Sequence, residues 1–423
     1  MVKAIVGANW GDEGKGKVVD MYAKDFDIVI RYQGGSNAGH TIINEHGRFA
    51  LHQLPSGVFS KNTINIIGNG VALDVKKLKN EIKSLNDNNV YPNLVISDKT
   101  VLLLNYHILL DTYEEERLKN KSFGSTKSGI APFYSDKYLK IGIRITDLFD
   151  DELLKSKIKN ICELKNPLFK DLYHKPLLDE KQMYEELISY KEFLKPYIKD
   201  TVLLIHEALN NNKNILLEGQ LGALRDPELG IYPYVTSSST LAGFATIGAS
   251  IPPHMLKNIT CVTKAYSSCV GAGPFVTEIF NEEANELRVR GGDKGEFGAT
   301  TGRPRRVGYF DCVATKYGCM IQGCTEIAIT NIDVLGYLDK IPVCIAYDIN
   351  GKITNNFEVS NLEKAKPIYT YLDGWKKDIR GCTNYNELPK ECVNYLNFIE
   401  EKLGYKIKVI STGPKRNEYI IKE

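Results

Sequence analysis

Apolar residues along this chain gather into short runs of similar length: "KAIVG", "DIVIRY", "TINIIG", "NLVIS", "NILLEG", "NITCVTKAY", "TEIAITNID" and "IKVIST". A strand with one wet face alternates apolar and polar residues, and these runs do not, so they predict strands buried on both faces. Several are separated by helical patterns such as "ALDVKKLKNEIKSL", which predicts crossover helices and a parallel sheet. Residues 150–211 differ: they are rich in Lys, Glu and Leu with little glycine, and predict a helical insertion. In "CIAYDINGKIT", Asn350-Gly351 between apolar runs predicts a two-residue hairpin. No internal repeat or low-complexity linker divides the chain. The expectation is a single α/β domain over residues 1–423, with a large, mostly parallel central sheet flanked by helices. Helical and small β insertions complete it.

Composition narrows the function. The 54 basic and 52 acidic residues nearly cancel, which argues against a nucleic-acid surface. No apolar stretch is long enough to span a membrane. The first residues read as a strand rather than a charged-then-apolar leader, so export is not expected. Nine cysteines, an odd number with no CxxC pair, predict free thiols in a reducing compartment, hence a cytoplasmic protein.

Three glycine-rich segments carry the candidate chemistry. In "GANWGDEGKGK", a strand runs into a helix start, "VVDMYAK". Glycines let backbone N–H groups approach a phosphate, and Lys15 or Lys17 can neutralise it. Six residues separate Gly7 from Gly14-Lys15, so the spacing is not that of a Walker A loop. A solvated strand-to-helix turn is the plainer alternative. Asp12 and Glu13 are unexpected beside phosphate. A carboxylate there can hold Mg²⁺ or take a proton from a nucleophile. "RYQGGSNAGHTII" again follows a strand and sets Asn37, Gly39 and His40 in a polar turn. "FGATTGRPRR" offers the Thr300 and Thr301 hydroxyls beside Arg303, Arg305 and Arg306, whose forks match carboxylate or phosphate oxygens. "ITNIDVL" ends a strand near Asp333, a weak likeness to the N/TKxD segment whose Asp accepts guanine N–H groups.

Taken together and in order, "WGDEGKGKVVD", "RYQGGSNAGHT", "LPSGV", "GNGV", "YPYVTSS", "KAY", "VGAGPF", "EFGATTGRPRR", "DVL" and "ISTGP" resemble the adenylosuccinate synthetase family over nearly the whole chain. The resemblance implies a P-loop-like nucleotide-binding architecture and a GTP-dependent ligase that joins IMP to L-aspartate through a 6-phosphoryl intermediate, with Mg²⁺ as cofactor. It implies that Asp12 is the general base and a metal ligand, with the Gly39 carbonyl as a second ligand. His40 would be the general acid, and Lys15 would counter phosphate charge. For GTP it implies Gly11, Glu13, Gly14, Gly16, Lys17, Gly39, Thr41, Arg305, Asn331, Ile332, Asp333, Ser411, Thr412 and Gly413. For IMP it implies Asp12, Lys15, Asn37, Ala38, His40, Thr126, Lys140, Gln220, Leu221, Thr236, Val270 and Arg303. For aspartate it implies Ala299, Thr300, Thr301, Gly302, Arg303 and Arg305. The family works as a homodimer, and Lys140 stands where an arginine would reach the partner's IMP.

The chain departs from the family pattern at several places. Asn9 replaces a glutamine, Ala131 a glycine and Lys140 an arginine. Leu221 occupies the position of a purine-contacting glutamine, with Gln220 one residue early. Such an offset points a side chain to the opposite face unless a bulge corrects it. Arg225 falls at a usually apolar place, Cys269 replaces an arginine and Asn331 a lysine. Two other readings follow. One is a variant synthetase of the same family, acting on another purine monophosphate such as dGMP or using ATP. The other is a non-catalytic nucleotide-binding switch, which would need the phosphate loops but not Asp12, His40 and an aspartate loop together.

Overall fold

The computed structural model describes residues 1–121, 123–298 and 302–422. Its centre is a ten-stranded sheet. We number its strands β1 Val2–Gly7, β2 Ile28–Arg31, β3 Ile64–Ile67, β4 Leu94–Ser97, β5 Ile198–Lys199, β6 Ile215–Glu218, β7 Asn258–Lys264, β8 Glu326–Thr330, β9 Ile407–Ser411 and β10 Tyr419–Ile421. The order across the sheet is β10-β9-β8-β7-β1-β6-β2-β3-β4-β5. Every pairing is parallel except β9 with β10. All eight apolar runs are strands of this sheet. Only the two-residue β5 and the antiparallel β10 lacked a signal in the pattern.

The runs are unalternated because both faces are buried. Ala4, Val6, Ile28, Ile30, Ile215 and Leu217 face one apolar layer. Ile5, Val29 and Leu216 face the other, with Val262, Ala328 and Val409. Helix α1, Lys15–Ala23, covers that second layer with Val18, Val19 and Met21. Burying each such side chain stabilises the packing by about 1.5–3 kcal/mol, which pins the helix and fixes where its N-terminus points.

The remaining longer helices are α2 Val75–Asp87, α3 Asn105–Leu118, α4 Ile130–Tyr138, α5 Asp151–Pro167, α6 Glu180–Leu194, α7 Thr201–Asn210, α8 Asn281–Arg290, α9 Cys312–Gln322 and α10 Lys390–Leu403. Residues 150–211 are mostly helical, with β5 among them. Leu154, Ile158, Leu187 and Leu194 from α5 and α6 share a core with Leu78 and Ile82 of α2. The Asn350-Gly351 hairpin forms between Lys340–Ile349 and Lys352–Thr354. Both turn residues have positive φ, 56° and 84°, as a type I′ turn requires.

Parallel strands all end on one side. Arg31, Glu218, Lys264, Thr330 and Ser411 are the last residues of β2, β6, β7, β8 and β9. Ligands of open α/β sheets bind outside these carboxyl ends. The glycine-rich segments after β1 and β2 lie on the same side.

Candidate active site

The loop after β1 answers why two acids stand among glycines. Glu13 is 2 % exposed and turns back into its own loop. Its Oε1 accepts the N–H of Gly11 at 2.8 Å and of Asn9 at 3.1 Å. Its Oε2 accepts from Lys15 Nζ at 2.6 Å. The Glu13 carboxylate therefore shapes the loop. Asp12, held at φ 60°, turns the other way and is a quarter exposed. Its Oδ2 lies 3.2 Å from Arg305 Nε. Gly14 caps α1 at φ 90°, and a Cβ on Gly16 would stand 2.7 Å from that of His40. Only glycine lets the histidine turn approach the helix N-terminus, whose free N–H groups attract anions.

His40 follows β2, and its Nδ1 is hydrogen-bonded to Glu218 at the end of β6. Glu218 is fully buried and also accepts the Ser56 N–H and hydroxyl, each at 2.7 Å. Burial alone would raise its carboxyl, but His40, Arg31 and the Ser56 N–H together hold it below the ordinary value. A carboxylate only accepts, so Nδ1 carries the proton and Nε2 is left without a protein partner. Burial, with Arg31 and Lys15 nearby, outweighs Glu218 and lowers the imidazole pKa, so the ring is neutral.

Two cavities open here. One, of about 400 Å³, is lined by Gly14, Lys15, Gly16, His40 and Thr41. Asn331, Ser411 and Gly413 close its far end. The other, of about 570 Å³, is lined by Asn37, Thr126, Thr236 and Val270. Trp10 Nε1 and Asn37 Oδ1 border the second cavity, buried and without protein partners. Asp12, Ala38, Gly39, Leu221, Gly298 and Arg305 border both cavities. The carboxylate, the arginine and the Gly39 backbone are thus the wall through which the cavities meet.

The far end of the first cavity is built by Lys17. Its ammonium donates to Ser411 Oγ at 2.7 Å, the Gly413 carbonyl at 2.5 Å and the Glu418 carbonyl at 2.7 Å. Burial lowers it to about 8. Lys17 was expected to neutralise phosphate. Its side chain ties α1 to the turn after β9 through one hydroxyl and two carbonyls, and it also borders the first cavity. Asp333 lies near Lys17, 4 % exposed, with its Oδ2 3.0 Å from both Nε and Nη2 of Arg380. Burial raises its pKa and Arg380 opposes that. Ile332 is fully buried, and Thr412 donates its hydroxyl to the Cys382 carbonyl at 2.7 Å. Neither borders either of these two cavities, and nor do Asp333, Gly11 and Glu13.

Other expected residues stand elsewhere. The Gln220 amide is spent on the Gly35 backbone, accepting at 3.0 Å and donating at 2.8 Å. No bulge returns it to the cavity. Leu221, at φ 57°, presents an apolar surface to both cavities instead. Lys140 is exposed after α4 and borders neither cavity. Gly302 and Arg303 are exposed, and Arg303 Nη1 would stand 3.2 Å from a Cβ on Gly124. Ala299, Thr300 and Thr301 lie outside the described residues.

Sequence reading missed five polar groups. Glu218 and Lys264 are charged residues closing apolar strands, which is the signal that could have found them. Lys264 Nζ donates to Glu296 at 2.6 Å and to Ser268 Oγ at 2.7 Å. Burial would raise the Glu296 carboxyl, yet Lys264 and Arg305 hold it at about 2. Arg305 Nη1 reaches Glu296 at 2.7 Å, so this carboxylate fixes the arginine beside Asp12. Trp10 and Arg380 had no local signal. Two departures meet in space: Arg225 Nη2 lies 2.9 Å from Cys269 Sγ and 2.5 Å from the Val270 carbonyl. A guanidinium thus stands beside position 269, supplied by residue 225.

An implied Mg²⁺ meets suitable donors. Hard cations take carboxylate and carbonyl oxygens, and Mg²⁺ fills its remaining positions with water and phosphate. Asp12 and Gly39 stand together where the cavities join, and both offer oxygen.

Comparison with known proteins agrees with this geometry. Residues 4–420 match the adenylosuccinate synthetase family. The chain is 44 % identical to the adenylosuccinate synthetase of Thermodesulfovibrio yellowstonii and 43 % identical to that of Clostridioides difficile. In both cases 99 % of this chain and 98 % of the relative are covered. It superposes on fully ligated adenylosuccinate synthetase from Plasmodium falciparum with a TM-score of 0.92 at 38 % identity, covering 100 % and 99 % of the two chains. Against cyanophage S-2L succinoaminodeoxyadenylate synthetase the TM-score is 0.62 at 16 % identity, over 99 % of this chain and 95 % of that one, a likeness of fold alone. Matched over nearly its whole length, this chain belongs to the adenylosuccinate synthetase family.

Proposed function

We propose that this chain performs the family's reaction, GTP-dependent joining of IMP and L-aspartate to adenylosuccinate, with the smaller cavity taking GTP and the larger taking IMP. The observation that carries this assignment is the shared wall. Asp12 and Arg305 border both cavities, so a γ-phosphoryl group in one meets a purine in the other at the carboxylate. Asp12 takes the N1 proton of IMP, which moves negative charge onto the 6-oxygen. That oxygen attacks the γ-phosphorus, and the bond to the β-phosphate oxygen breaks. The aspartate amine then attacks C6, and phosphate leaves. Lys15, the N-terminus of α1 and His40 stabilise the charge in transit by position rather than by bonding.

His40 is neutral with Nε2 bare, and must gain a proton to donate to a phosphoryl oxygen. Glu218 is placed to hold the resulting imidazolium. Mg²⁺ on Asp12 and Gly39 would supply charge neutralisation at the phosphates. Asp333, near Lys17 and the 411–413 turn, suits the guanine end, where one carboxylate accepts both the N1 and N2 protons. The loop around residues 299–305 takes aspartate through Arg303 and Arg305. A homodimer would bring the exposed Lys140 to the partner's IMP, and the nine free thiols support a cytoplasmic setting.

The cyanophage enzyme is described as bound to dGMP and dATP as an energy donor. The bacterial relatives above 40 % identity favour IMP and GTP for this chain. A steady-state panel of IMP, dIMP, GMP and dGMP, each with GTP or ATP and aspartate, tests the choice. Aspartate-dependent phosphate release is expected with IMP and GTP. Faster turnover of dGMP, or with ATP, overturns it, and aspartate-independent release indicates a switch.

A further inference from the structure

Away from both cavities, Cys261 of β7, Cys319 in the last turns of α9 and Cys324 in the turn before β8 bring their Sγ atoms within 4.8 Å of one another. We propose that these three thiols form a binding site for a trivalent thiophilic metalloid, with arsenite as its simplest ligand.

Three observations support the assignment. First, thiolate bonds of roughly 2.3 Å on a pyramidal arsenic(III), with angles of about 100°, set the three sulfurs about 3.5 Å apart, so no sulfur pair need close by more than about 1.3 Å. Second, the donor set holds sulfur alone, with no histidine or carboxylate among the described residues of the group. A structural Zn²⁺ requires four ligands, and this group offers three.

Third, charge selects the oxidation state. The three cysteines belong to the main apolar core with Ile259 and Ile327, and Tyr405 is close enough to act on all three thiols. Cys319 also lies near the C-terminal, electronegative end of α9. A divalent ion on three thiolates would leave a net negative charge there, which burial disfavours. Arsenic(III) on three thiolates is neutral.

The chemistry balances without an oxidant. Arsenous acid and three thiols give a tris-thiolate and three waters. Three As–O and three S–H bonds break, three As–S and three O–H bonds form, and arsenic stays trivalent. Cys324 is the entrance, since it is 8 % exposed while the other two are fully buried.

The test titrates the reduced protein with sodium arsenite under anaerobic conditions, following intact native mass and free-thiol count. One arsenic per chain is expected, protecting three of the nine thiols. Cys261→Ala, Cys319→Ala and Cys324→Ala should each weaken binding about a hundredfold or more, since each removes one arm of a chelate. Cys162→Ala should leave binding unchanged. The wild-type stoichiometry stands as a test even where a variant folds poorly. No retained arsenic, only two protected thiols, undiminished binding in the three variants, or retention of Zn²⁺ in preference to arsenite would each overturn the proposal.

Discussion

At the scale of single residues, the site separates groups that meet substrate from groups that hold them. Asp12→Asn keeps shape but cannot accept the N1 proton. Loss of a positioned base costs about 10²–10⁴ in rate, so kcat should fall in that range while KM for GTP changes little. Steady-state kinetics checks the split. Glu218→Gln acts through His40. It removes the charge that holds the imidazolium, while Gln can still accept from Nδ1. Isothermal titration of GTP in buffers of different ionisation enthalpy should show proton uptake in the wild type and a reduced uptake in this variant. Arg225 and Cys269 form a second residue-scale test. Arg225→Leu should raise KM for IMP, because the Tyr234, Val270 and Ala272 carbonyls lose their shared donor. Adding Cys269→Arg should restore it, and a double variant no better than the single would show that the two positions do not substitute for one another.

At the scale of elements, strand ends decide which groups meet. Lys17 joins the first turn of α1 to the turn after β9, so Lys17→Met should loosen the far end of the GTP cavity. A buried charged donor contributes about 1.5–3 kcal/mol, and KM for GTP should rise by roughly one to two orders of magnitude, while KM for IMP holds. Eight of the ten sheet strands were legible because burial on both faces removes alternation. β5 was not, because two residues beside a helical insertion carry no period. The phosphate loop and the histidine turn were legible from glycine placement, which reports where backbone must approach closely. Glu218, Lys264 and Glu296 were not, since their partners come from distant strands and only the fold brings them together. The tie from Lys17 to the turn after β9 was not legible for the same reason: the carbonyls it reaches lie about four hundred residues away. Gln220 shows the converse, since the one-residue offset did set its face.

At the scale of the whole molecule, buried histidines tie stability to pH. Burial lowers His40 and His107, and lowers His52 to about 4. Their unfolded value is about 6.5. Below that value the unfolded chain takes up protons that the folded chain refuses, so these groups favour folding above it and lose that contribution as pH falls toward the folded values. Tm should therefore decline with acidification below about 6.5, and His52→Gln should flatten the decline. Buried Asp311, raised to about 6, acts in the opposite sense, contributing stability at low pH that is lost as pH rises through that value. An unchanged slope in His52→Gln would remove His52 from the balance.

The two cavities make one enzyme only if a phosphoryl group crosses between them at Asp12. Positional isotope exchange reads that crossing directly. GTP carrying ¹⁸O in the β–γ bridge is incubated with enzyme, Mg²⁺ and IMP, without aspartate. Reversible transfer to the 6-oxygen lets the β-phosphate rotate, so label should scramble from bridge to non-bridge positions. The scrambling should require IMP and vanish in Asp12→Asn. Scrambling without IMP, or at the wild-type rate in Asp12→Asn, would contradict transfer at this wall.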